Sequence, residues 1–276
     1  MNPTFDFGRW GLLVRQHWIE NKKRYLLSMA AAAGILFMWF SFVAIADDTF
    51  PMDPDVQRGT YFFLLFVSGC FYASQFYRDL GSRSRAINFL LTPASSLEKL
   101  LVSLFYAVVL FFVVYTAIYY AVDAIVVTLI NMFHPSYTEA NANGVVYQAS
   151  VVNVFGRVGR VNGTPLFFAA YFAVQAAFLL GSVYFEKYSF VKTVIGLFGV
   201  LLALWLVNAF LFEAILPEGG YLWGFGSIRV TNAEGGADYL IELPAGIKDT
   251  IAALAKWGFP LFFWLVTYFR LKEKEV

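Results

Sequence analysis

Residues 61–122 read YFFLLFVSGCFYASQFY, then RDLGSRSRAINFLLTPASSLEK, then LLVSLFYAVVLFFVVYTAIYYAV. Two charge-free runs, 61–77 and 100–122, flank a basic segment at 78–99 that contains Pro93 and several serines. At about 1.5 Å per residue the second run extends roughly 34 Å, enough to cross a hydrocarbon core of about 30 Å. The segment between them carries four of the twenty Lys and Arg of the chain: Arg78, Arg83, Arg85 and Lys99. A basic loop between two spans belongs on the cytoplasmic face. At this length it also has room for a short helix that docks on something.

Composition places the whole chain in the same class. Of 276 residues, 59% are hydrophobic, 20% are aromatic and only 14% are charged. The charged share is about half that of an ordinary soluble domain. Such a domain would have nowhere to bury 31 phenylalanines, so the expectation is an integral membrane protein. The net charge of +1 carries no information about partners. Cys70 is the single cysteine. It falls inside an apolar run, which excludes an intrachain disulfide and suits a small packing residue.

Working outward in both directions gives the expected layout: an all-α membrane protein with six transmembrane helices. Residues 1–24 are amphipathic. Phe7, Trp10, Val14 and Trp18 recur at spacings of three and four, and Arg9, Arg15, Glu20, Lys22, Lys23 and Arg24 supply the polar remainder. This pattern fits a helix lying in the interface plane. The six-helix domain follows over 25–276, with spans near 25–46, 59–77, 100–122, 165–185, 193–212 and 250–269. The first run ends in Ala44-Ile45-Ala46, a signal-peptidase-like pattern. Its apolar stretch is longer than a signal sequence requires, so we read it as a retained span. Lys256 and Pro260 interrupt the last span; the lysine can snorkel and the proline predicts a kink. Apolar residues continue past Asp123 through 124–133, which suits a protruding or re-entrant helix. Between spans lie an acidic loop at 47–58, a polar segment at 134–164 and a longer one at 213–249. In the last, 227–230 and 238–243 flank Glu234-Gly235-Gly236 and read as a β-hairpin.

Charge distribution orients this layout. On the side of the termini stand fourteen Lys and Arg, five of them before the first span; the other side has six. The Lys/Arg excess predicts both termini in the cytoplasm. Segments 134–164 and 213–249 are then extracytoplasmic.

Several chemistries are missing from the sequence. It contains no G-x-x-x-x-G-K-[ST] phosphate loop. His17 and His134 have no partner at metal-ligand spacing, so we expect no metal site and no cofactor in this chain. Ser68 and Ser182 lie in spans without a base, which suits helix packing rather than catalysis. The chain is therefore not expected to be an enzyme. No midplane charge marks a proton relay in spans one to five, which argues against a proton-driven carrier. Gln175 and Asn208 are polar in mid-span; they either line a path or bond across helices. Ala30 and Gly34 form a small-xxx-small pair suited to close helix contact, within the chain or between two copies. The basic cluster at 83–85 needs no nucleic acid to explain it in a cytoplasmic loop.

The layout and two short patches, Phe89-Leu90-Leu91-Thr92-Pro93-Ala94-Ser95-Ser96-Leu97-Glu98-Lys99 and Tyr268-Phe269-Arg270-Leu271-Lys272-Glu273-Lys274-Glu275-Val276, resemble the membrane subunit of ABC-2 type transporters, the bacterial exporter class. The resemblance implies a permease in the bacterial cytoplasmic (inner) membrane. It implies a second permease subunit, identical or not, and separate ABC ATPase subunits that bind ATP and Mg. It also implies that the N-terminal helix and the 78–99 loop touch the ATPase. The implied contact residues are Arg83, Arg85, Glu98 and Lys99, with Asn88, Phe89 and Leu90 as a hydrophobic plug. Local chemistry is compatible: Pro93 breaks one helix, and Ser95 with Glu98 fits an S-x-x-E capping box for the next. The competing reading of the basic residues is anchoring to anionic headgroups of the lipid bilayer. The alternative function is a non-transporting membrane scaffold or assembly protein that presents its outer loops to a partner.

Overall fold

Long charge-free runs become helices because nothing in a bilayer can bond the backbone except the backbone itself. The computed structural model describes residues 5–46, 52–82, 86–87, 89, 91–133, 149–156, 164–215, 220–222, 227–230, 239–242 and 244–274, with the backbone alone described at 208, 211–215, 220–222, 227–230, 239–242 and 245. In chain order the elements are α1 (Phe7–Ala46), α2 (Pro54–Gln75), a 3-10 turn (Arg78–Gly81), α3 (Ser96–Leu104), a π-turn (Phe105–Leu110) and α4 (Phe111–Phe133). They continue with α5 (Thr164–Tyr184), α6 (Ser189–Ile215), β1 (Gly220–Leu222), β2 (Ser227–Val230), β3 (Tyr239–Glu242), α7 (Ala245–Ala253), a second π-turn (Leu254–Gly258) and α8 (Phe259–Lys274).

Among the described residues, five helical stretches are long and apolar enough to cross a membrane: Phe7–Ala46, Ser96–Phe133, Thr164–Tyr184, Ser189–Val207 and Gly246–Lys274. This marks the chain as a multi-pass membrane protein. α2, expected as the second span, is not among the five. Its 22 residues give about 33 Å, enough length to cross, but Gln57, Thr60, Tyr61, Ser74 and Gln75 dilute its apolar content. The packing explains this. α2 touches α4, α5 and α6 and buries Gln57, Thr60, Tyr61, Phe62, Leu65, Gly69, Cys70, Ala73 and Ser74. The polar residues Gln57, Thr60 and Ser74 thus lie inside the protein, while Phe63, Val67 and Phe71 form its exposed stripe.

Several expected boundaries move. Residues 7–24, read as a separate interfacial helix, run into the first apolar run without a break. Lys22-Lys23-Arg24-Tyr25-Leu26-Leu27-Ser28 contains no Gly or Pro to interrupt the ladder. The expected lipid-facing residues are partly covered by the chain itself. Trp10 meets Phe105 edge-on at 6.0 Å, and the Tyr106 hydroxyl donates to the Val14 carbonyl at 2.8 Å. The second helix starts five residues early, inside the presumed acidic loop. Asp53 caps it by accepting from the Asp55 N–H, and Pro54 takes the first helical position, where no N–H is needed. α4 continues to Phe133 as one helix. Segment 149–156 lies against its side, with Val126, Val127, Ile130 and Val154 buried in one cluster. The second π-turn immediately precedes Phe259-Pro260. A proline at 260 removes the N–H that would reach back one turn, and a widened turn absorbs that loss.

Close approach between helices occurs at glycines. A Cβ at Gly181 would lie 1.9 Å from Thr193 Oγ1, one at Gly69 would lie 2.6 Å from the Tyr171 hydroxyl, and one at Gly81 would lie 2.3 Å from the Glu186 carbonyl oxygen. These contacts bring α5 against α6 and α2, and the α5–α6 connection against the 3-10 turn. Gly34, Gly196 and Gly199 meet nothing within 4 Å, and Ala30 is exposed. The Ala30/Gly34 pair thus makes no helix contact among the described residues.

Two clusters make the core. One gathers Phe40, Tyr61, Tyr115, Tyr119 and Tyr171. Two of its phenols find partners across the α2–α4 seam: Tyr115 donates to the Tyr61 carbonyl at 2.9 Å and Tyr119 to the Gln57 carbonyl at 2.8 Å. The other gathers Tyr77, Leu80, Leu100, Leu179, Val183 and Leu271. It joins the end of α2, the start of α3, the end of α5 and the end of α8. α3 also packs on α1, so the two terminal helices meet at the same end of the bundle. Between α6 and α7 in the chain, β1, β2 and β3 form a three-stranded antiparallel sheet, with Ser227 opposite Glu242 and Gly220 opposite Val230.

Candidate functional site

The end of the bundle where the termini meet is organised by one carboxylate. Ser95 is the N-cap of α3; its hydroxyl accepts from the Glu98 N–H at 3.3 Å. Glu98 Oε2 accepts from the Ser95 N–H at 2.9 Å, which completes the capping box. The other oxygen serves the N-terminal helix. Glu98 Oε1 accepts from the Asp6 N–H at 2.9 Å, from Arg9 Nε at 3.1 Å and from an Arg9 terminal nitrogen at 2.7 Å. The Glu98 side chain has 0% of its surface exposed, against 29% for Arg9. A buried carboxylate survives because both of its oxygens accept hydrogen bonds, two of the four from a charged guanidinium. The result is a knot that ties the first turn of α1 to the first turn of α3.

Around the knot, Lys99 is buried and its ammonium sits 5.2 Å from the Phe89 ring centroid. Phe89 in turn meets Tyr77 edge-on at 6.0 Å. Of the residues read as ATPase contacts, Arg83, Arg85, Asn88 and Leu90 lie outside the described residues. Glu98, Lys99 and Phe89 are brought together, but their side chains engage this chain: Glu98 in the knot, Lys99 and Phe89 on each other and on the core. Among the described residues, the exposed surface next to them comes from Ile87, Leu91 and Leu97.

The mid-span polar residues behave differently. Gln175 is buried and its amide donates to the Ala107 carbonyl. Ala107 belongs to the first π-turn, whose i→i+5 bonding leaves some carbonyls without their usual partner. Gln175 thus bonds α5 to that turn. Of Asn208 only the backbone is described, within α6. No group of three or more His, Cys, Asp or Glu suited to a metal occurs among the described residues.

Two features were not legible in the sequence. Arg9 and Glu98 are separated by 89 positions, and no periodicity links them. Gln57, placed in a loop by sequence, is fully buried at the opposite end. Its amide donates to the carbonyls of Met52 at 3.0 Å and Ser150 at 3.2 Å. A lone glutamine beside a basic residue at a helix start gives no sign of such a role.

No protein-family model, no curated protein and no solved structure matches the chain.

Proposed function

We propose that the chain is the membrane permease subunit of an ABC-2 type exporter, driven by a separate ATPase. The reading includes six crossings with both termini in the cytoplasm of a bacterium, and a second permease subunit as partner. The observation that supports it best is the knot of Asp6, Arg9, Ser95 and Glu98. In this class the N-terminal helix and the loop before the third span receive the push of the ATPase. Here those two elements are coupled by a buried, charge-assisted bond. Force applied to either would move α1 and the long α3–α4 helix together. Such a coupled unit is what an energy source outside the membrane requires, since the sequence has no phosphate loop of its own.

The experiment is affinity purification of the full chain from its host in mild detergent, followed by ATP hydrolysis assays. The expected result is a co-purifying ATPase whose vanadate-sensitive activity disappears when this chain is omitted. Arg83→Glu with Arg85→Glu is expected to reduce the recovered ATPase at least several-fold. Recovery of the chain with no ATPase, in repeated purifications, would sink the reading and favour the scaffold alternative, for which the three-stranded sheet would be the presented surface.

A further inference from the structure

A cavity of about 870 Å³ lies between α1, α2 and the α3–α4 helix, at the end of the bundle that holds the knot. Its volume is that of a site for a ligand of several hundred daltons or for a lipid-sized molecule. One continuous face of α1 forms a whole wall. Leu13, Gln16, Glu20, Arg24, Ser28, Ala32, Ile35 and Leu36 line it at spacings of three and four, apart from the final adjacent pair. Past Leu13, polar residues give way to apolar ones along that face. Gln16, Glu20 and Arg24 stand at one end; Ala32, Ile35 and Leu36 stand at the other.

The charged residues of the two other walls stand at the same end. From α2 and the turn after it come Gln75 and Asp79 at the polar end, with Leu64 at the apolar end. The α3–α4 helix supplies Lys99 at the polar end, and Phe111, Val114 and Ile118 at the apolar end. A cavity whose charged residues gather at one end suits a molecule that is itself polar at one end and apolar at the other. Among the described residues that line it, the polar end carries two cations, Arg24 and Lys99, and two carboxylates, Glu20 and Asp79. This balance suits a head carrying both signs better than a purely anionic one. From Arg24 to Leu36 the helix rises about 18 Å, close to the depth of one leaflet of a core about 30 Å thick. Gln16, Glu20 and Arg24 are exposed, so the polar end is reachable from outside the bundle.

We propose that this cavity binds one zwitterionic amphiphile, with its head among Glu20, Arg24, Asp79 and Lys99 and its chain along Ala32, Ile35 and Ile118. The proposal rests on the cavity alone and stands whether or not the chain couples to an ATPase. Two sources share the chemistry: a two-chain phospholipid of the bilayer, and a free single-chain amphiphile.

Native mass spectrometry of the purified full chain, delipidated and then titrated, tests it. One arm uses dioleoylphosphatidylcholine, the other lysophosphatidylcholine. The expected result is one saturable adduct per chain in at least one arm, and the preferred arm identifies the source. Ala32→Phe on α1 and Ser68→Leu on α2 fill the cavity from two walls. Each is expected to lower adduct retention at least tenfold while the elution profile and melting temperature stay near those of the unmodified chain. Should one variant fail to fold, the other carries the test. A third, the exposed-site change Arg24→Glu, is expected to weaken binding without touching the core. Absence of a saturable adduct in both arms, or adducts undiminished in every folded variant, overturns the proposal.

Discussion

Glu98 shows how one side chain can serve two structures at once. It caps its own helix through Ser95 and holds another helix through Asp6 and Arg9. Glu98→Ala removes acceptors from two backbone N–H groups and strands a guanidinium. The expected cost is about 3 kcal/mol, the low end for breaking a buried pair, read as a fall in the detergent melting temperature. Arg9→Ala is expected to cost less, since Arg9 keeps 29% of its side-chain surface exposed. The charge swap, Arg9→Glu with Glu98→Arg, is expected not to restore stability. An arginine at 98 has no oxygen for the Asp6 and Ser95 N–H groups. Rescue by the swap would show that the ion pair alone matters. Gln175→Leu tests the amide bond to the π-turn. Interhelical bonds of this kind average well below 2 kcal/mol in membranes, so a loss near 1 kcal/mol is expected. Half of this was legible. The S-x-x-E pattern needs only three residues of separation, so the capping box could be read directly. The Arg9 partnership could not, because only packing brings the two helix starts together.

At the level of elements, glycines separate two kinds of helix surface. Gly181 and Gly69 sit where a Cβ would collide with Thr193 and Tyr171. Gly181→Ala is expected to force α5 and α6 apart and to lower the melting temperature by several degrees or abolish a monodisperse elution peak. Gly196→Ala and Gly199→Ala on α6, with open space at both positions, are expected to be neutral or slightly stabilising, since alanine favours the helix by up to about 1 kcal/mol. Equal damage at Gly181 and Gly196 would mean that α6 packs differently. A sequence shows that a glycine lies in a helix. It does not show the rotation of that helix about its axis, and that phase decides which glycine meets a neighbour. For this reason the small-residue pair Ala30/Gly34 makes no contact within the chain and faces outward, where a second copy could meet it, while Gly69 and Gly81 carry contacts that no spacing announced.

For the whole molecule, the shared location of the terminal helices has a direct consequence. Leu271 and Leu80 occupy one cluster, and Glu186 lies against Gly81, whereas Gln57 and Ser150 meet at the far end. In a Cys70→Ala background, single cysteines at Tyr188 and Val151, both exposed, report the two ends. Under the proposed orientation, Tyr188→Cys is expected to react with a membrane-impermeant maleimide only after the membrane is opened, and Val151→Cys is expected to react in intact cells. Labelling of both from one side would overturn the arrangement of six crossings. Cys70 itself is buried, and its replacement by alanine is expected to leave folding intact.

Membrane residence, helical character and the cap at Ser95 follow from interactions that act within one residue or one turn. Apolar side chains require lipid or protein around them, a backbone in that medium must bond to itself, and an oxygen three residues from an N–H can reach it. Such effects are written in composition and short spacing, so they are readable before any fold is known. The knot at Glu98, the burial of Gln57, the outward face of Gly34 and the three-walled cavity depend on which sides of separate helices meet. That choice is made by the sum of many weak packing contacts between residues dozens of positions apart. No local pattern records it, and it exists only once the helices have assembled.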